Sequence, residues 1–437
     1  MDQVPLAAEP LLQPATSRRP GWLRSILGGS LGNLVEWYDW YVYSAFTLYF
    51  APVFFPSEDA TAQLLKAAAI FAVGFLMRPL GAWIMGVYSD RCGRRAGLTL
   101  SVMLMGGGSL MIAVTPGYEC IGMAAPALLL VARLLQGLSV GGEYGASAAY
   151  LTEMAQKGYR GFFSSFQYVT LIAGQLVALS VLLLLQAAMT PQTLQAWGWR
   201  IPFLIGAVLA LSAFWLRRGL EETEAFLESR ERRPTRRFGS VLFRRHPREV
   251  ALVMALTAGG TLAFYAYSTY MQKFLVNSAG FGRETATGIV AAALFVFMLL
   301  QPVAGWLSDR IGRRPLLIGF GVGGLLFTVP IFTRLETVET SFQAFLLVLA
   351  ALVIATGYTA INAAVKAELF PADVRALGIA LPYALANTLF GGTAEYVALS
   401  FKHHGFEQGF YWYVSAMIGV SLIVYVAMRE TSRDRQR

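Results

Sequence analysis

Eight charged side chains lie within long apolar runs of the sequence, where a charge is costly. A charged residue at the centre of a membrane helix costs roughly 2.5–3.5 kcal/mol on insertion scales, so each one needs a functional or structural partner. Four are cations, which bind anions, and four are carboxylates, whose protonation responds strongly to burial and to neighbouring charge. We therefore expect anion binding and proton transfer among Glu36, Asp39, Arg78, Arg133, Glu143, Lys273, Lys366 and Glu395.

Three of these charges are predicted to meet near the middle of a membrane. Arg133 lies nine residues into its apolar run, about 14 Å at 1.5 Å per residue. Glu36 and Asp39 reach a similar depth from the other side and, three residues apart, share one helix face. Arg78 lies close to the same level. The alternative is that Arg133 only neutralises one of the two acids.

The apolar runs are predicted to be membrane-spanning helices. Of 437 residues, 56% are hydrophobic and 14% are charged, against about 25% charged in soluble domains. This composition excludes a soluble enzyme, a secreted disulfide-rich module and a disordered chain. A helix needs roughly 20 apolar residues to cross the hydrocarbon core. Twelve runs qualify, at 26–50, 62–89, 97–115, 124–151, 162–187, 200–216, 250–277, 285–308, 316–333, 342–367, 376–400 and 411–428.

The distribution of Lys and Arg predicts that both termini are cytoplasmic. With that orientation, 26 of the 35 basic residues lie in inner segments and four in outer loops. The basic excess is also a contact for anionic lipid head groups, and we predict no nucleic-acid partner. The predicted organisation is a flexible tail (1–25), a six-helix half (26–216), an inner linker (217–249), a second six-helix half (250–428) and a tail (429–437).

The two halves carry the same charged motif. G-V-Y-S-D-R-C-G-R-R starts at Gly86 and G-W-L-S-D-R-I-G-R-R starts at Gly305, an offset of 219 residues. A second pair of matches follows the fourth and tenth spans, where a Glu lies seven residues before an Arg, at Glu153 and Arg160 and again at Glu368 and Arg375. Matches in equivalent loops indicate an internal duplication.

The doubled G-x-x-x-D-R-x-G-R-R resembles the signature of the major facilitator superfamily. Several segments are similar to its metabolite:H⁺ symporter family: GNLVEWYDWYVYS (32–44), RPLGAW (78–83), QGLSVGGEYG (136–145), RGFFSSFQ (160–167) and WGWRIPF (197–203). KAELFPADVRALG (366–378) and FGGTAEYVALS (390–400) are similar to the members that carry 2-oxoglutarate. The resemblance implies an all-α membrane protein with the major facilitator fold. It also implies import of 2-oxoglutarate with protons across a bacterial inner membrane by alternating access.

This implied function suggests roles for the cations. Arg offers a planar fork that matches a carboxylate, so we predict that Arg78 or Arg133 binds one carboxylate and that Lys273 or Lys366 binds the other. The alternative for Lys366, near a helix end, is that it reaches the lipid head groups. Cavity-lining hydroxyl and amide donors are expected from Tyr265, Tyr267, Tyr270 and Gln272.

The proton carrier is expected to be Asp39 or Glu36. If a neighbouring Arg leaves the acid to hold substrate, the acid loses its partner and gains a proton. Glu143 and Glu395 are the alternative carriers. Glu143 alternatively forms an ion pair with Arg91, Arg94 or Arg95.

By the same resemblance, the duplicated charges form ion pairs that close the cytoplasmic side and break as the halves rock. The alternative is that they only anchor the topology. The predicted gate consists of Asp90, Arg91, Arg94, Arg95, Glu153 and Arg160 in the first half, and of Asp309, Arg310, Arg313, Arg314, Glu368 and Arg375 in the second.

We predict a transporter and not an enzyme, because the sequence has no catalytic triad and no phosphate loop. It also has no metal-ligand spacing, so no metal or cofactor is predicted, and we expect a monomer. Alternative substrates are citrate, shikimate, betaine and proline. A membrane sensor that binds a metabolite without moving it is a further alternative, which the doubled gate disfavours.

Overall fold

The computed structural model describes residues 22–92, 94–141, 148, 151–152, 155, 158–218, 242, 244–371 and 374–432. Of these, only the backbone is described at 22–33, 86–87, 89–92, 94–95, 97–98, 213 and 216–218. All regular structure in this part of the chain is helical. The main helices of the first half are α1 (Trp22–Phe54), α2 (Ala60–Cys92), α3 (Arg94–Val114), α4 (Ala124–Val140), α5 (Arg160–Ala188) and α6 (Ile201–Arg218).

Three helices of the second half are interrupted. α7 consists of Pro247–Tyr267 and Met271–Asn277, and α10 of Ser341–Thr359 and Asn362–Leu369. α11 consists of Arg375–Ala386, a π-helical turn at Asn387–Gly391, and Ala394–His403. The others are α8 (Arg283–Ile311), α9 (Arg313–Glu336) and α12 (Gln408–Ala427). Non-helical backbone at membrane depth is tolerated where protein or a cavity surrounds it, and the flanking segments Phe264–Leu275 and Thr359–Ala367 are buried throughout.

Each predicted span coincides with one of these twelve helices, so the predicted segmentation is confirmed to within a few residues where the chain is described. In the part of the chain that the structure describes, seven helices are long and apolar enough to cross a membrane by length and composition. Shorter apolar helical stretches accompany them at Thr99–Val114, Ala124–Val140 and Gly198–Ser212.

The two halves meet along two helix pairs. α5 of the first half packs along α8 of the second, and α2 packs against α11. At the second contact, the Thr388 hydroxyl donates to the carbonyl oxygen of Phe75 at 2.7 Å. α2, the helix that carries Arg78, therefore forms part of an interface between the halves.

Candidate functional site

Arg78 and Arg133 converge on one aromatic ring in the core of the first half. Their guanidinium carbons lie 4.1 Å and 4.0 Å from the ring centroid of Trp40. Phe75 lies against Arg78 at 4.0 Å, and Tyr43 against Arg133 at 4.5 Å. Both side chains are buried, 3% and 0% exposed. Cation–π contact stabilises both charges but does not neutralise them.

Both guanidiniums keep hydrogen-bond donors without partners. Arg133 Nη1 donates to Gln136 Oε1 at 2.7 Å, and Gln136 is held in turn by Ser109 at 2.9 Å. The Nε and Nη2 atoms of Arg133 and of Arg78 have no hydrogen-bond partner in the described part of the chain. Buried donors of this kind are costly unless they have a partner, and guanidinium donors pair with anions.

Asp39 lies within electrostatic reach of Arg133 but does not pair with it. Both carboxylate oxygens of Asp39 are buried without a hydrogen-bond partner among the described residues. The carboxylate lies against the backbone of α6, where a methyl group on Gly206 would be 1.9 Å from Oδ1. Glu36, one turn earlier, accepts from the Ser139 hydroxyl at 3.5 Å. Asp39 and Arg133 are therefore near enough to interact electrostatically but form no ion pair in this conformation, and the meeting of Glu36 with Arg133 stays a prediction.

Lys273 forms a buried ion pair within the second half and a hydrogen bond to the first half. Its Nζ lies 2.9 Å from Glu395 Oε2 on α11 and donates to the Ser44 hydroxyl of α1 at 2.7 Å. The Ser44 hydroxyl in turn lies 3.4 Å from the same Glu395 oxygen. This Lys–Glu pairing was missed by sequence reasoning, since 122 residues separate the partners. The charge of Glu395 inside an apolar run was the only signal for it.

A small cavity borders this triad at the junction of the halves, with room for about one water molecule. It is lined by Tyr41, Ser44, Ala45, Gln175, Leu179, Ser268, Thr269, Gln272 and Val290. Gln272 therefore lies where it was predicted, and its amide donates to Thr287 at 2.9 Å.

The three tyrosines of α7 do not share one face. Tyr265 faces the first half, with its ring 5.5 Å from that of Phe75. Tyr267 instead bonds the hydroxyl of Thr328 on α9, and the Tyr270 ring packs 5.5 Å from that of Phe410 on α12. The expectation that Tyr267 and Tyr270 line the central cavity is wrong for this conformation.

Lys366 is fully buried within the second half and lies away from the arginine pair. Its Nζ donates to Asn362 Oδ1 at 2.9 Å and lies 4.1 Å from the ring centroid of Tyr383. Because Lys366 lies within this aromatic surround, it does not extend to a head-group region.

At the end of the bundle where α1 begins and α12 ends, predicted gate residues of the second half bind the first half. Asp309 at the end of α8 accepts hydrogen bonds from the backbone amides of Gly161 and Phe162, at 2.8 Å and 2.9 Å. Arg313 holds Asp309 at 2.8 Å and Glu368 at 3.4 Å. A carboxylate at a helix N-terminus is favoured by the helix dipole, so Asp309 fastens α8 to the start of α5.

The side chains of three other predicted gate residues make different contacts in the described part of the chain. Arg310 stacks over Trp306, 3.9 Å from the ring centroid. Arg314 donates to the Tyr425 carbonyl oxygen at 3.3 Å, and Arg375 to that of Ala367 at 3.1 Å. The prediction that Arg310 and Arg314 form gate ion pairs is therefore wrong in this conformation.

The remaining gate predictions have no structural test here. Arg160 starts α5, and no contact of its side chain bears on the prediction. The side chains of five gate residues and of one predicted carrier lie outside the described part of the chain: Asp90, Arg91, Arg94, Arg95, Glu143 and Glu153.

The segment after α12 completes the network and was missed by sequence reasoning. Glu430 accepts from the backbone amides of Arg313 and Arg314, at 2.9 Å and 3.0 Å, and the Thr431 hydroxyl donates to Glu368 at 2.6 Å. Burial alone would raise the pKa of Glu430, but these amides and the Ser432 amide outweigh it and hold the pKa below its ordinary value. An S/T-x-x-E capping signature is absent, so no local pattern marked the interaction.

At the opposite end, further contacts join the halves. The guanidinium carbon of Arg283 on α8 lies 5.0 Å from the ring centroid of Tyr49 on α1. His403 Nδ1 at the end of α11 lies 3.2 Å from Asp59 Oδ2, just before α2. The halves are therefore in contact at both ends of the bundle. The arginine pair lies between these two ends.

Comparison with known proteins identifies the architecture. A sequence profile of the Major Facilitator Superfamily matches residues 30–394. The chain belongs to this superfamily. It is 52% identical over 434 residues to the alpha-ketoglutarate permease of Escherichia coli (strain K12), covering 99% of each chain. It is 38% identical to the citrate-proton symporter of Salmonella typhi, covering 87% of each.

The solved structures show the same major facilitator fold. The proton:xylose symporter XylE bound to 6-bromo-6-deoxy-D-glucose matches with a TM-score of 0.75 at 19% identity, covering 94% of this chain and 96% of that one. A partially occluded inward-open XylE from E. coli matches with a TM-score of 0.73 at 20% identity, covering 93% and 98%. These matches confirm the predicted fold class, and the permease likeness confirms the motif resemblance.

Proposed function

We propose that this chain is a proton-coupled symporter that imports 2-oxoglutarate by alternating access. One observation carries the proposal: two buried arginines, Arg78 and Arg133, present unpartnered guanidinium donors around Trp40. The 52% identity to a protein named alpha-ketoglutarate permease, over 99% of both chains, supports the choice of anion.

The charge of the arginine pair favours an organic dianion. Guanidinium remains protonated at physiological pH and binds carboxylate in a bidentate geometry. Two such groups within about 4 Å of one ring repel each other across a low-dielectric region, and carboxylates would relieve both the repulsion and the unpartnered donors. We propose that Arg78 and Arg133 together hold one end of 2-oxoglutarate and that Lys273 addresses the other. Tyr265 and Gln272 supply further donors.

Asp39 is the proposed proton carrier of the first half. A buried carboxylate whose oxygens have no hydrogen-bond partner among the described residues is disfavoured in its charged form, and the positive charge of Arg133 opposes that effect. When substrate engages Arg133, that field is partly cancelled, so Asp39 binds a proton. Glu36 and Glu143 remain alternatives.

Proton coupling is needed to draw a dianion into a negative interior. Each charge moved through 100 mV is worth about 2.3 kcal/mol, so a dianion alone faces about 4.6 kcal/mol. Two protons cancel that term.

The orientation follows from the Lys and Arg bias. We propose a multi-pass protein of a bacterial inner membrane with both termini cytoplasmic. The Asp309 contact to α5 is then the cytoplasmic gate, which opens when substrate leaves to the cytoplasm.

The test is transport in proteoliposomes containing the purified chain. We expect counterflow of radiolabelled 2-oxoglutarate, and accumulation when an imposed pH gradient is acid outside. Unlabelled citrate, shikimate, betaine and proline serve as competitors. Counterflow of labelled citrate but not of labelled 2-oxoglutarate would assign the chain to citrate, the substrate in the name of the 38% identical relative. Binding without counterflow would identify a sensor.

A further inference from the structure

We infer that Glu395 is a second proton-carrying residue and that a substrate carboxylate replaces it on Lys273. The inference rests on the proposed function and assigns the chemistry of its second-half site. The two side chains form an ion pair at 2.9 Å and are 5% and 0% exposed. A buried pair of this kind tolerates the loss of one partner poorly, because the other charge is left uncompensated.

Exchange of partners on Lys273 requires a proton. With the ion pair intact, one cation and one carboxylate give the site no net charge. If a substrate carboxylate takes Lys273 while Glu395 stays ionised, the site holds one cation and two carboxylates. A proton that forms an O–H bond on Glu395 restores neutrality, and no covalent bond is broken. Substrate and proton therefore bind together at this site, as thermodynamic linkage requires of symport.

Glu395 has an oxygen available for that proton. Its Oε2 atom takes the contacts from Lys273 and Ser44. Its Oε1 atom accepts no hydrogen bond from the described residues and is not sealed off from the surface. Ser44 also lines the small cavity between the halves, so this cavity lies next to the residue that contacts Glu395 Oε2.

The triad also joins the two halves. Ser44 belongs to α1, whereas Lys273 and Glu395 belong to α7 and α11. Glu395 holds the Lys273 ammonium group where it donates to the Ser44 hydroxyl at 2.7 Å. This hydrogen bond depends on that position of the Lys273 side chain. Replacing Glu395 by a substrate carboxylate therefore alters a contact between halves, which couples occupancy to their relative motion.

In the described part of the chain, two tyrosines are the further ionisable groups that interact with Glu395. Tyr43 of α1 and Tyr270 of α7 act on it electrostatically. α2 and α12 also pack against this segment of α11, and neither forms an ion pair with Glu395 in the described part of the chain. Lys273 is thus the one described cation that pairs with this acid.

The experiment compares proton and substrate movements in proteoliposomes containing an internal pH-sensitive dye. Glu395→Gln imitates the protonated acid. We expect homoexchange of radiolabelled 2-oxoglutarate within about threefold of wild type, while net uptake carries about one proton fewer per substrate. In the wild type, the apparent affinity for 2-oxoglutarate is expected to fall as the pH rises, and we expect this fall to be smaller in Glu395→Gln.

A matched control lies in the same half. Lys402 and Glu407 form an ion pair at 3.0 Å near the Ser278 hydroxyl, with the same three residue types but about 19% exposure, and all three residues lie in the second half. We expect Glu407→Gln to keep the wild-type ratio of protons to substrate.

Two outcomes would overturn the inference. The first is a wild-type proton ratio in Glu395→Gln. If Glu395→Gln loses homoexchange, the double variant Lys273→Gln/Glu395→Gln is measured instead, because it leaves no unpaired charge at the site. We expect the double variant to exchange 2-oxoglutarate with weaker affinity and with a reduced ratio of protons to substrate. An unchanged ratio is the second contrary outcome. Failure of the proposed function is distinct, because the wild type would then show no counterflow of 2-oxoglutarate.

Discussion

Gly161 at the start of α5 and Gly305 near the end of α8 touch backbone to backbone. A methyl group on Gly161 would lie 2.5 Å from the carbonyl oxygen of Gly305, and one on Gly305 would lie 2.6 Å from that of Gly161. Small residues are what allow membrane helices to approach this closely. The contact between halves at the terminal end of the bundle therefore depends on glycine at both positions.

Gly305→Ala is expected to disfavour the closed contact. Overpacking costs about 1–3 kcal/mol, which corresponds to a shift of roughly 5- to 150-fold in the equilibrium between closed and open forms. The measurement is the maleimide labelling rate of a cysteine placed at the buried Ser164, in a chain lacking Cys92 and Cys120. Faster labelling is expected. Gly288→Ala on the same helix, where an added methyl meets nothing within 4 Å, is the control.

Arg78→Lys and Arg133→Lys are each expected to weaken substrate binding about 10- to 100-fold. A charge-assisted hydrogen bond contributes about 1.5–3 kcal/mol, and ammonium cannot reproduce the bidentate geometry. The half-saturating concentration of 2-oxoglutarate in counterflow reports the change. Arg334→Lys, at an exposed position, is the control. Unchanged affinity in both variants would remove the arginine pair from the site.

Asp309→Asn tests the charge at the start of α5. A partly buried anion at a helix N-terminus contributes up to about 2 kcal/mol, so we expect a shift toward the form open at the terminal end. The Ser164 labelling assay measures it. Asp309→Ala also removes the acceptor for the Gly161 and Phe162 amides and is expected to shift further. Labelling of Asp309→Asn at the wild-type rate would show that the charge contributes nothing.

Glu430→Gln is expected to lower thermal stability in a pH-dependent manner. The pKa of Glu430 is lowered in the folded protein, so its charged form contributes stability that is present above its ordinary pKa. That contribution is lost as pH falls through the folded value. The difference in Tm between wild type and variant in detergent should be full at pH 7 and should shrink toward pH 3. A difference independent of pH would contradict this account.

Tyr267→Phe is expected to reduce stability by about 1 kcal/mol without changing substrate affinity. The variant loses the hydrogen bond to Thr328, and one hydrogen bond contributes about that amount. Tm and the half-saturating concentration measure the two effects separately. A large loss of affinity would place Tyr267 at the substrate after all.

The spans and the buried arginines were predictable because both follow from one-dimensional rules. An apolar run of about 20 residues specifies a membrane helix, and a charge within it must face the protein interior. Arg78 and Arg133 obey this rule and are buried. Helical geometry also shows why one expectation failed. Residues two apart on a helix lie about 200° apart, so Tyr265 and Tyr267 cannot face the same cavity.

The partners of the charged residues were not predictable from local pattern. The Lys273–Glu395 pair joins residues 122 apart, and Asp309 binds amides 147 and 148 residues away. Such contacts depend on which helices become neighbours, which hydropathy does not specify. The breaks in α7 and α10 were missed for a related reason, since the apolar runs continue across them without a proline.

The interruption of α7 separates two tasks along one helix. Pro247–Tyr267 is fixed to the second half through Tyr267, whereas the seven-residue piece Met271–Asn277 carries Lys273. Residues 268–270 between them are a turn. Because the turn divides the helix, the direction of the segment that carries the Lys273 ammonium group is not set by the longer segment.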